Sequence, residues 1–175
     1  MRNARLVMMV VAIMVVFGMI AGCTAITDPE PIESDYTFVQ ANPAVLGLAK
    51  GELSVTEAVN KAEGAVLTSS DMAGNYVTIP AGALENDMEL TFRISMSEDG
   101  ALHFSVEGAG VPDGEHIYFT DEKKSTIAVS KDWLSQAPDM GMNIDTEEKY
   151  VVTDGGSHWL LEVQHYTIYA WIITD

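Results

Sequence analysis

The clearest chemistry in this chain belongs to its single cysteine, Cys23. The residues before it are Ile20-Ala21-Gly22, so the thiol directly follows two small residues. Residues 1–5 carry two arginines, and residues 6–20 form an apolar run that only one glycine interrupts. A basic start, a short apolar stretch and small residues at its end are typical of a secretory signal that a peptidase removes. The pattern therefore predicts export and a cut between Gly22 and Cys23.

The segment Ile20-Ala21-Gly22-Cys23 resembles the lipobox of bacterial lipoproteins. This resemblance implies that the Cys23 thiol accepts a diacylglyceryl group and becomes the new N-terminus after cleavage. Two or three acyl chains, at ~0.8 kcal/mol per buried methylene, hold a protein stably on a membrane. Thr24 stands where an inner-membrane lipoprotein would carry Asp, so the outer membrane is favoured if the cell has two membranes. The alternative is a transmembrane anchor, which usually needs about 18 or more apolar residues, a little more than this run offers.

The composition restricts the partners of the mature chain. What remains of the 175 residues after removal of the leader is about one domain, long enough for a core without staples. Cys23 is the only cysteine, so the mature protein forms no internal disulfide. The formal net charge is −17, and loss of the leader's two arginines makes it more negative. Such a surface disfavours nucleic acid and anionic lipid and favours cations or basic partners, although it also simply keeps an exported protein soluble.

The remaining chemically active side chains form no recognisable cofactor or metal motif. The four histidines share no metal-ligand spacing, and the acidic groups match no EF-hand loop. These groups lie at 85–89, 98–99, 113–115 and 143–148, and the histidines are His103, His116, His158 and His165. Loop carboxylates can still bind calcium, and a tryptophan face can bind glycans, so a calcium- or glycan-binding surface module is an alternative. Trp171 is expected in the core and Trp133 at the surface. No sequence fingerprint of an enzyme is present, so we expect no cofactor and no enzymatic activity.

The chain between the leader and residue 64 is predicted to contain a tether and two short helices. Residues 23–40 are polar and contain two prolines, which is typical of a flexible tether, with a short strand at Tyr36 to Val39. Residues 41–64 contain two helix-start patterns, each followed by a glycine stop. These patterns are Asn42-Pro43 with Gly51, and Ser54-Val55-Thr56-Glu57 with Gly64.

From residue 65 to residue 175 the apolar residues recur with the period of a strand. Residues 88–96 and 102–106 alternate between apolar and polar side chains, and Glu98-Asp99-Gly100 between them predicts a β-hairpin. Further short strands are predicted at 117–120, 126–130, 149–153, 159–163 and 167–173. Short strands separated by turns, with no helical pattern between them, favour a mainly β fold, namely an antiparallel β-sandwich. The signal peptide (1–22), the tether (23–40) and the helical segment (41–64) would precede this domain (65–175).

Two segments within the predicted β domain are similar to a known family. They are Tyr76-Val77-Thr78-Ile79-Pro80-Ala81-Gly82-Ala83-Leu84 and His165-Tyr166-Thr167-Ile168-Tyr169-Ala170. Their order and separation resemble the β-sandwich domain shared by zonula-occludens proteins, netrin receptors and ankyrins. The match covers roughly residues 65–173, and Tyr166 and Thr167 stand where that family usually has Phe and Ser.

The residues of these two motifs have physical roles that do not depend on the family. Pro80 would end its strand by removing a backbone donor, and Gly82 would let the chain turn with positive φ. Leu84 would plug one end of the domain, next to the buried Ile79. His165 and Tyr169 are expected to pack and to form hydrogen bonds at a strand corner.

The family resemblance also implies one possible reaction. Some relatives cut themselves within the second motif, which would place a cut between Tyr166 and Thr167. Thr167 would be the nucleophile and His165 the base, because a hydroxyl needs a neighbouring base to become nucleophilic.

The hypothesis that the sequence favours is a membrane-anchored extracytoplasmic lipoprotein of the cell envelope. Its β domain would have a structural or protein-interaction role and no enzymatic activity. Its partners would be the membrane, through the lipid on Cys23, and an unidentified envelope or extracellular protein or glycan, with no nucleic acid.

Overall fold

The computed structural model describes residues 35–45, 52–109, 117–118 and 123–174, with the backbone alone for 117–118. The predicted signal peptide, the lipidation site Cys23 with its cleavage partner Gly22, and the tether as far as residue 34 lie outside the described residues. So do the second half of the first predicted helix, the acidic group at 113–115 and His116.

The described chain is built almost entirely from β-strands. In chain order they are β1 (Tyr36–Phe38), β2 (Leu53–Val59), β3 (Ala65–Leu67), β4 (Tyr76–Ile79), β5 (Met88–Met96), β6 (Leu102–Gly108), β7 (Ile117–Tyr118), β8 (Ser125–Ser130), β9 (Met140–Asn143), β10 (Lys149–Asp154), β11 (His158–Val163), β12 (His165–Tyr166) and β13 (Ile168–Thr174). Two short 3₁₀ turns, Ser70–Met72 and Lys131–Trp133, complete the secondary structure of the described residues. The prediction of a mainly β fold is confirmed.

Eleven of the strands form one antiparallel sheet that is nearly closed into a barrel-like shape. Its order is β2-β5-β6-β13-β9-β10-β11-β8-β4-β3, with β1 paired to β13 outside this path. The strands at the two ends of the order, β2 and β3, are consecutive in the chain and meet at a bridge between Asn60 and Gly64. The antiparallel pairing is confirmed, although hydrogen bonds run continuously from strand to strand instead of separating two sheets.

The core fills the inside of this curled sheet. Alternate residues of each strand point inward, as in β5, where Leu90, Phe92 and Ile94 are buried. Trp171 is buried, as predicted, but the prediction that Trp133 lies at the surface is wrong, because it is only 2% exposed. The 3₁₀ turn directs its indole inward, and its carbonyl accepts the backbone N–H of Asn42 at 2.8 Å.

The second predicted helix is wrong, because its residues form strand β2. Leu53, Val55 and Val59 are at least partly buried, whereas Ser54 and Thr56 are exposed, which is the period of a strand. Val55, Val59 and other apolar residues also fit a helical face, so the pattern alone was ambiguous. Pairing with β5 along all of β2 decides between them, since it satisfies the backbone groups on the side of β2 that faces β5. In the first predicted helix, the described residues Pro43–Val45 form a turn that the Asn42 side chain caps.

The chain joins the sheet earlier than the predicted domain boundaries imply. The short strand predicted at Tyr36 to Val39 is confirmed as β1, which pairs with the last strand, β13. Val39 and Ala41 are buried in the core. Residues 36–40 are therefore part of the sheet and not of a tether, and the sheet begins at Tyr36 instead of residue 65.

The strand directions define two ends of the domain. At the end that we call the terminal end, β1 begins and β13 finishes, and Tyr36 lies opposite Thr174. The hairpin turn 97–100 and the turn 155–157 lie at this end as well. At the other end, which we call the loop end, β4 finishes and β8 and β13 begin, and the loop 144–148 connects β9 to β10. Both sequence motifs therefore reach the loop end.

Gly64 provides a test of how tightly the sheet closes. It has φ +71°, and a Cβ there would lie 2.7 Å from the backbone nitrogen of Ala81 and would also clash with the Ile79 carbonyl. Because the obstacle is backbone, we expect Gly64→Ala to lower the free energy of unfolding by more than ~3 kcal/mol in urea denaturation.

The matched control for this variant is Gly156→Ala. Gly156 has φ +84° but nothing within 4 Å of the added Cβ, so only the conformational cost of ~1 kcal/mol is expected. Equal losses of stability in the two variants would show that the contact between the Gly64 turn and the corner after β4 is not tight.

Candidate functional site

The corner that follows β4 is anchored at the loop end by backbone contacts. Ile79 and Leu84 on either side of it are buried, and Gly82 has φ +76°, the left-handed region that favours glycine. The backbone N–H of Gly82 donates to the Lys61 carbonyl at 2.6 Å, and the Lys123 ammonium donates to the Ala81 carbonyl at 2.6 Å. The Pro80–Leu84 corner thus has a structural role: it helps to close the sheet at the loop end.

The second motif forms the turn from β12 into β13 beside this corner. The hydroxyl of Tyr166 is 2.9 Å from the buried Ser125 hydroxyl, which starts β8. The hydroxyl of Tyr169 donates to the His165 carbonyl at 2.7 Å and so fixes the bend between them. Thr167 lies at this bend and is itself buried. These contacts place the motif against the loop between β9 and β10.

The buried side chain of Asn143 selects the tautomer of the neutral His165 ring. The side-chain oxygen of Asn143 accepts the backbone N–H groups of Asp145 at 2.9 Å and Thr146 at 3.4 Å. Its amide nitrogen therefore faces Nε2 of His165, at 2.9 Å. Because an amide NH₂ group can only donate, His165 Nε2 must accept, and a neutral ring then carries its proton on Nδ1.

Thr167 directs its proton toward a carboxylate and not toward the histidine. Its hydroxyl donates to the Asp145 side chain, and a hydroxyl has one proton to give. The lone pair on Nε2 of His165 already accepts from Asn143. The proton-accepting position next to Thr167, which the family resemblance implied for His165, is therefore held by Asp145.

Three tyrosines lie around the cluster formed by Asn143, Asp145, His165 and Thr167, and each has a raised pKa. Burial is the first cause that raises the pKa of Tyr150, Tyr166 and Tyr169. For Tyr150 the second cause is the Glu148 carboxylate, which accepts its hydroxyl at 2.6 Å and further disfavours a phenolate. The Tyr150 and Tyr169 rings pack edge to face with centroids 5.7 Å apart. The cluster thus consists of packed aromatic rings with carboxylates along its edge.

The acidic residues at 143–148 serve mainly as partners of groups within the protein. Asp145 accepts from Thr167 and Glu148 accepts from Tyr150. Throughout the described ranges, no three His, Asp, Glu or Cys side chains are arranged so that they could hold a metal ion.

The tryptophans do not form the exposed face on which glycan binding was considered. Trp133 is buried, and the ammonium of Lys131 lies 4.3 Å from the Trp159 ring centroid. Lys131 is in turn held by Asp154 at 2.7 Å. The half-buried Trp159 ring thus already carries a cation over one face.

The sequence identified most residues of this cluster but not their pairing. The motif His165-Tyr166-Thr167 and the acidic segment 143–148 were both noted, and they are neighbours in the fold. The role of Asn143 within this segment was missed, although it follows from the Asn-x-Asp-Thr order, because asparagine often accepts the backbone N–H two residues ahead.

No helix of the described chain is long and apolar enough to cross a membrane.

Asn143→Ala tests whether this amide organises the loop end. The variant removes the acceptor of two backbone N–H groups and one hydrogen bond to His165, so we expect a loss of ~2–4 kcal/mol in the free energy of unfolding. In the unchanged protein, ¹⁵N NMR should show His165 with an unprotonated Nε2 and a protonated Nδ1. The opposite tautomer would contradict the assigned orientation of Asn143.

The buried tyrosines predict instability in alkali. Each has a pKa above its ordinary value of 10.0 when folded, so below pH 10 both states are protonated and the tyrosines cause no pH dependence. Above pH 10 the unfolded chain loses its phenol protons first, and the free energy of unfolding falls. Urea titrations between pH 9 and 11.5 should show this fall. In Tyr166→Phe its slope should be smaller by up to ~1.4 kcal/mol per pH unit, and an unchanged slope would exclude a contribution from Tyr166.

Comparisons with known proteins identify no relative of this chain. No protein-family model, no curated protein and no solved structure matches it. The resemblance to the domain of zonula-occludens proteins, netrin receptors and ankyrins therefore remains a prediction carried by the two motifs. Function has to be argued from the chain itself.

Proposed function

We propose that this chain is a lipid-anchored extracytoplasmic protein whose β domain has a structural or protein-interaction role at the cell envelope and no enzymatic activity. The observation that carries the proposal is the segment Ile20-Ala21-Gly22-Cys23 after a basic and then apolar leader. Thr24 after the cysteine favours the outer membrane of a two-membrane cell. The antiparallel β fold is compatible with the family resemblance, which supplies the interaction role.

The arrangement of the domain supports display from a membrane. Eleven residues separate Cys23 from Asp35, where the described chain joins the sheet. Tyr36, where β1 begins, lies at the terminal end, so the loops of the loop end lie at the opposite end of the domain from this first strand. A lipid on the only cysteine leaves no thiol for a disulfide, and the continuous core accounts for stability without one.

A rim of carboxylates at the loop end suggests what such a partner would carry. Glu147 and Glu148 are exposed there, and Glu85 and Asp87 are exposed beside the β4 corner. A protein partner with a basic surface would be attracted over distances of about a Debye length, ~8 Å at physiological salt.

Self-cleavage between Tyr166 and Thr167 is a second candidate, supported by the contact between Thr167 and Asp145. In that reaction the Thr167 oxygen would attack the Tyr166 carbonyl carbon while Asp145 takes the hydroxyl proton. The peptide nitrogen would take up that proton and leave as the new amino group of Thr167, and water would hydrolyse the ester to free Tyr166 as a C-terminus.

The intact mass of the mature protein, expressed with its own leader and measured under denaturing conditions, tests both candidates. We expect a single species that begins at Cys23 and is heavier than the Cys23–Asp175 chain by its acyl groups. An uncleaved, unmodified precursor that begins at Met1 would overturn the lipoprotein proposal. A separate fragment that begins at Thr167 would establish self-cleavage.

Two variants serve as controls for this measurement. Cys23→Ser should abolish both the added mass and the cut, because the lipidated cysteine is the group that the peptidase recognises in a lipobox. Thr167→Ala should leave the lipidated mass unchanged apart from the substitution itself. If a fragment appears in the unchanged chain and persists in Thr167→Ala, an external protease is responsible for it.

A further inference from the structure

Four apolar side chains form a straight row across the outside of the sheet near the terminal end. Phe38 of β1 pairs with Ile172 of β13, Ile172 pairs with Met140 of β9, and Met140 pairs with Val151 of β10. At a strand spacing of ~4.8 Å, the row is about 14 Å long.

The register shows that this row faces outward. Its members alternate along their strands with core residues, as Ile172 does with Trp171 and as Val151 does with the half-buried Tyr150 and Val152. The neighbouring outward row, His103, Ala170, Met142 and Lys149, continues the apolar surface and ends in a cation. The Phe38 and His103 rings, 6.2 Å apart, join the two rows at one side.

Side chains from the start of the described chain lie along this surface. Lys149 forms an ion pair with Asp35 at 2.9 Å, and its ammonium lies 5.4 Å from the Tyr36 ring centroid. Ile172 and Met142 are almost fully buried, at 0% and 1% exposure. Val151, at the other end of the row, is 74% exposed, and Met140 beside it is half-buried. The row thus runs from the half-buried Phe38 through the buried Ile172 to the exposed Val151.

The length of chain between Cys23 and the start of the sheet argues that the row contacts lipid. The chain from Cys23 reaches Asp35 in twelve residue steps, which span at most about 40 Å when fully extended. A lipid on Cys23 therefore keeps the row within reach of the bilayer surface at all times. Aromatic rings and a lysine around exposed aliphatic side chains are the composition that suits the interface between water and lipid.

A matched outward row exists on another part of the sheet. It crosses β3, β4, β8 and β11 through Val66, Thr78, Thr126 and Glu162. Val66 is exposed, at 51%, but its three neighbours in the row are polar or charged. An exposed valine thus occurs in both rows, and only the first lies in an apolar surface next to the start of the chain.

We propose that Phe38, Met140 and Val151, the members of the row that are not fully buried, rest on the surface of the lipid bilayer that holds Cys23, with Val151 inserted among the head groups. This inference rests on the proposed lipid anchor. The surface it prefers has zwitterionic head groups, because a chain of net charge −17 is repelled by anionic lipid. The contact would fix which face of the domain is turned to the membrane and would leave the loop end accessible.

The lone cysteine makes the test direct. Lipidation consumes the Cys23 thiol, so Val151→Cys or Val66→Cys adds the only thiol able to take a fluorescent nitrobenzoxadiazole label. Each lipidated variant is placed in phosphatidylcholine vesicles with and without doxyl-labelled phosphatidylcholine, a quencher located in the lipid. We expect the label at 151 to be quenched about twofold or more beyond the label at 66, since an interfacial side chain lies near the acyl chains.

Each outcome of this experiment has a separate meaning. One label per chain, an added acyl mass and stronger quenching at 151 support the proposal. One label and an acyl mass with equal quenching at both positions overturn the lipid-facing row and leave the anchor intact. Two labels per chain, with no acyl mass, show that Cys23 is free and overturn the anchor and the row together.

Discussion

The pairing of β13 with three other strands is the constraint on which the rest of the structure depends. The last strand hydrogen-bonds to β6 and β1 on one side and to β9 on the other. Its inward residues Tyr169 and Trp171 enter the core, and its outward residues Ala170 and Ile172 form the middle of the apolar surface. Because β13 (Ile168–Thr174) pairs with β1 (Tyr36–Phe38), the sheet cannot close until both ends of the described domain are available. Contacts of such long sequence separation are characteristic of slowly folding β proteins.

The sequence predicted the strands of this domain well wherever the alternation was supported by turn residues. The hairpin of β5 and β6 has Asp99-Gly100 at its bend, and both strands were predicted within a few residues. Strand β2 was missed because Val55 and Val59 fit a helical as well as an extended period, and the pairing with β5 that decides between them is not visible locally. Trp133 was misplaced for a related reason, since a tryptophan between polar residues looks exposed until the tertiary turn is known.

The sequence predicted most residues of the candidate site but not the hydrogen bonds between them. Each local feature was readable, including the acidic loop and the His165-Tyr166-Thr167 motif. Which hydroxyl meets which carboxylate depends on the register of β9 and β13, where Asn143 lies opposite Tyr169. A shift of one residue would turn Asn143 outward and leave His165 with a different partner. Sequence patterns determine faces more reliably than they determine register, so the role of Asp145 could not be predicted.

The two ends of the domain have opposite chemistry, and this follows from where the polar groups are satisfied. At the loop end, buried amide, imidazole and hydroxyl groups need partners, and the carboxylates of Asp145 and Glu148 provide two of them. These two carboxylates of the acidic rim therefore contribute to stability as well as to solubility. Near the terminal end, β1 adds aromatic side chains beside the outward residues Ile172 and Met142, which are almost fully buried, and Val151 is the exposed apolar residue of this region. If the proposed lipid holds Cys23, this region with its exposed Val151 would meet the bilayer first. The acidic rim at the loop end would then stay accessible, so the same division would suit both the proposed attachment and the proposed protein interaction.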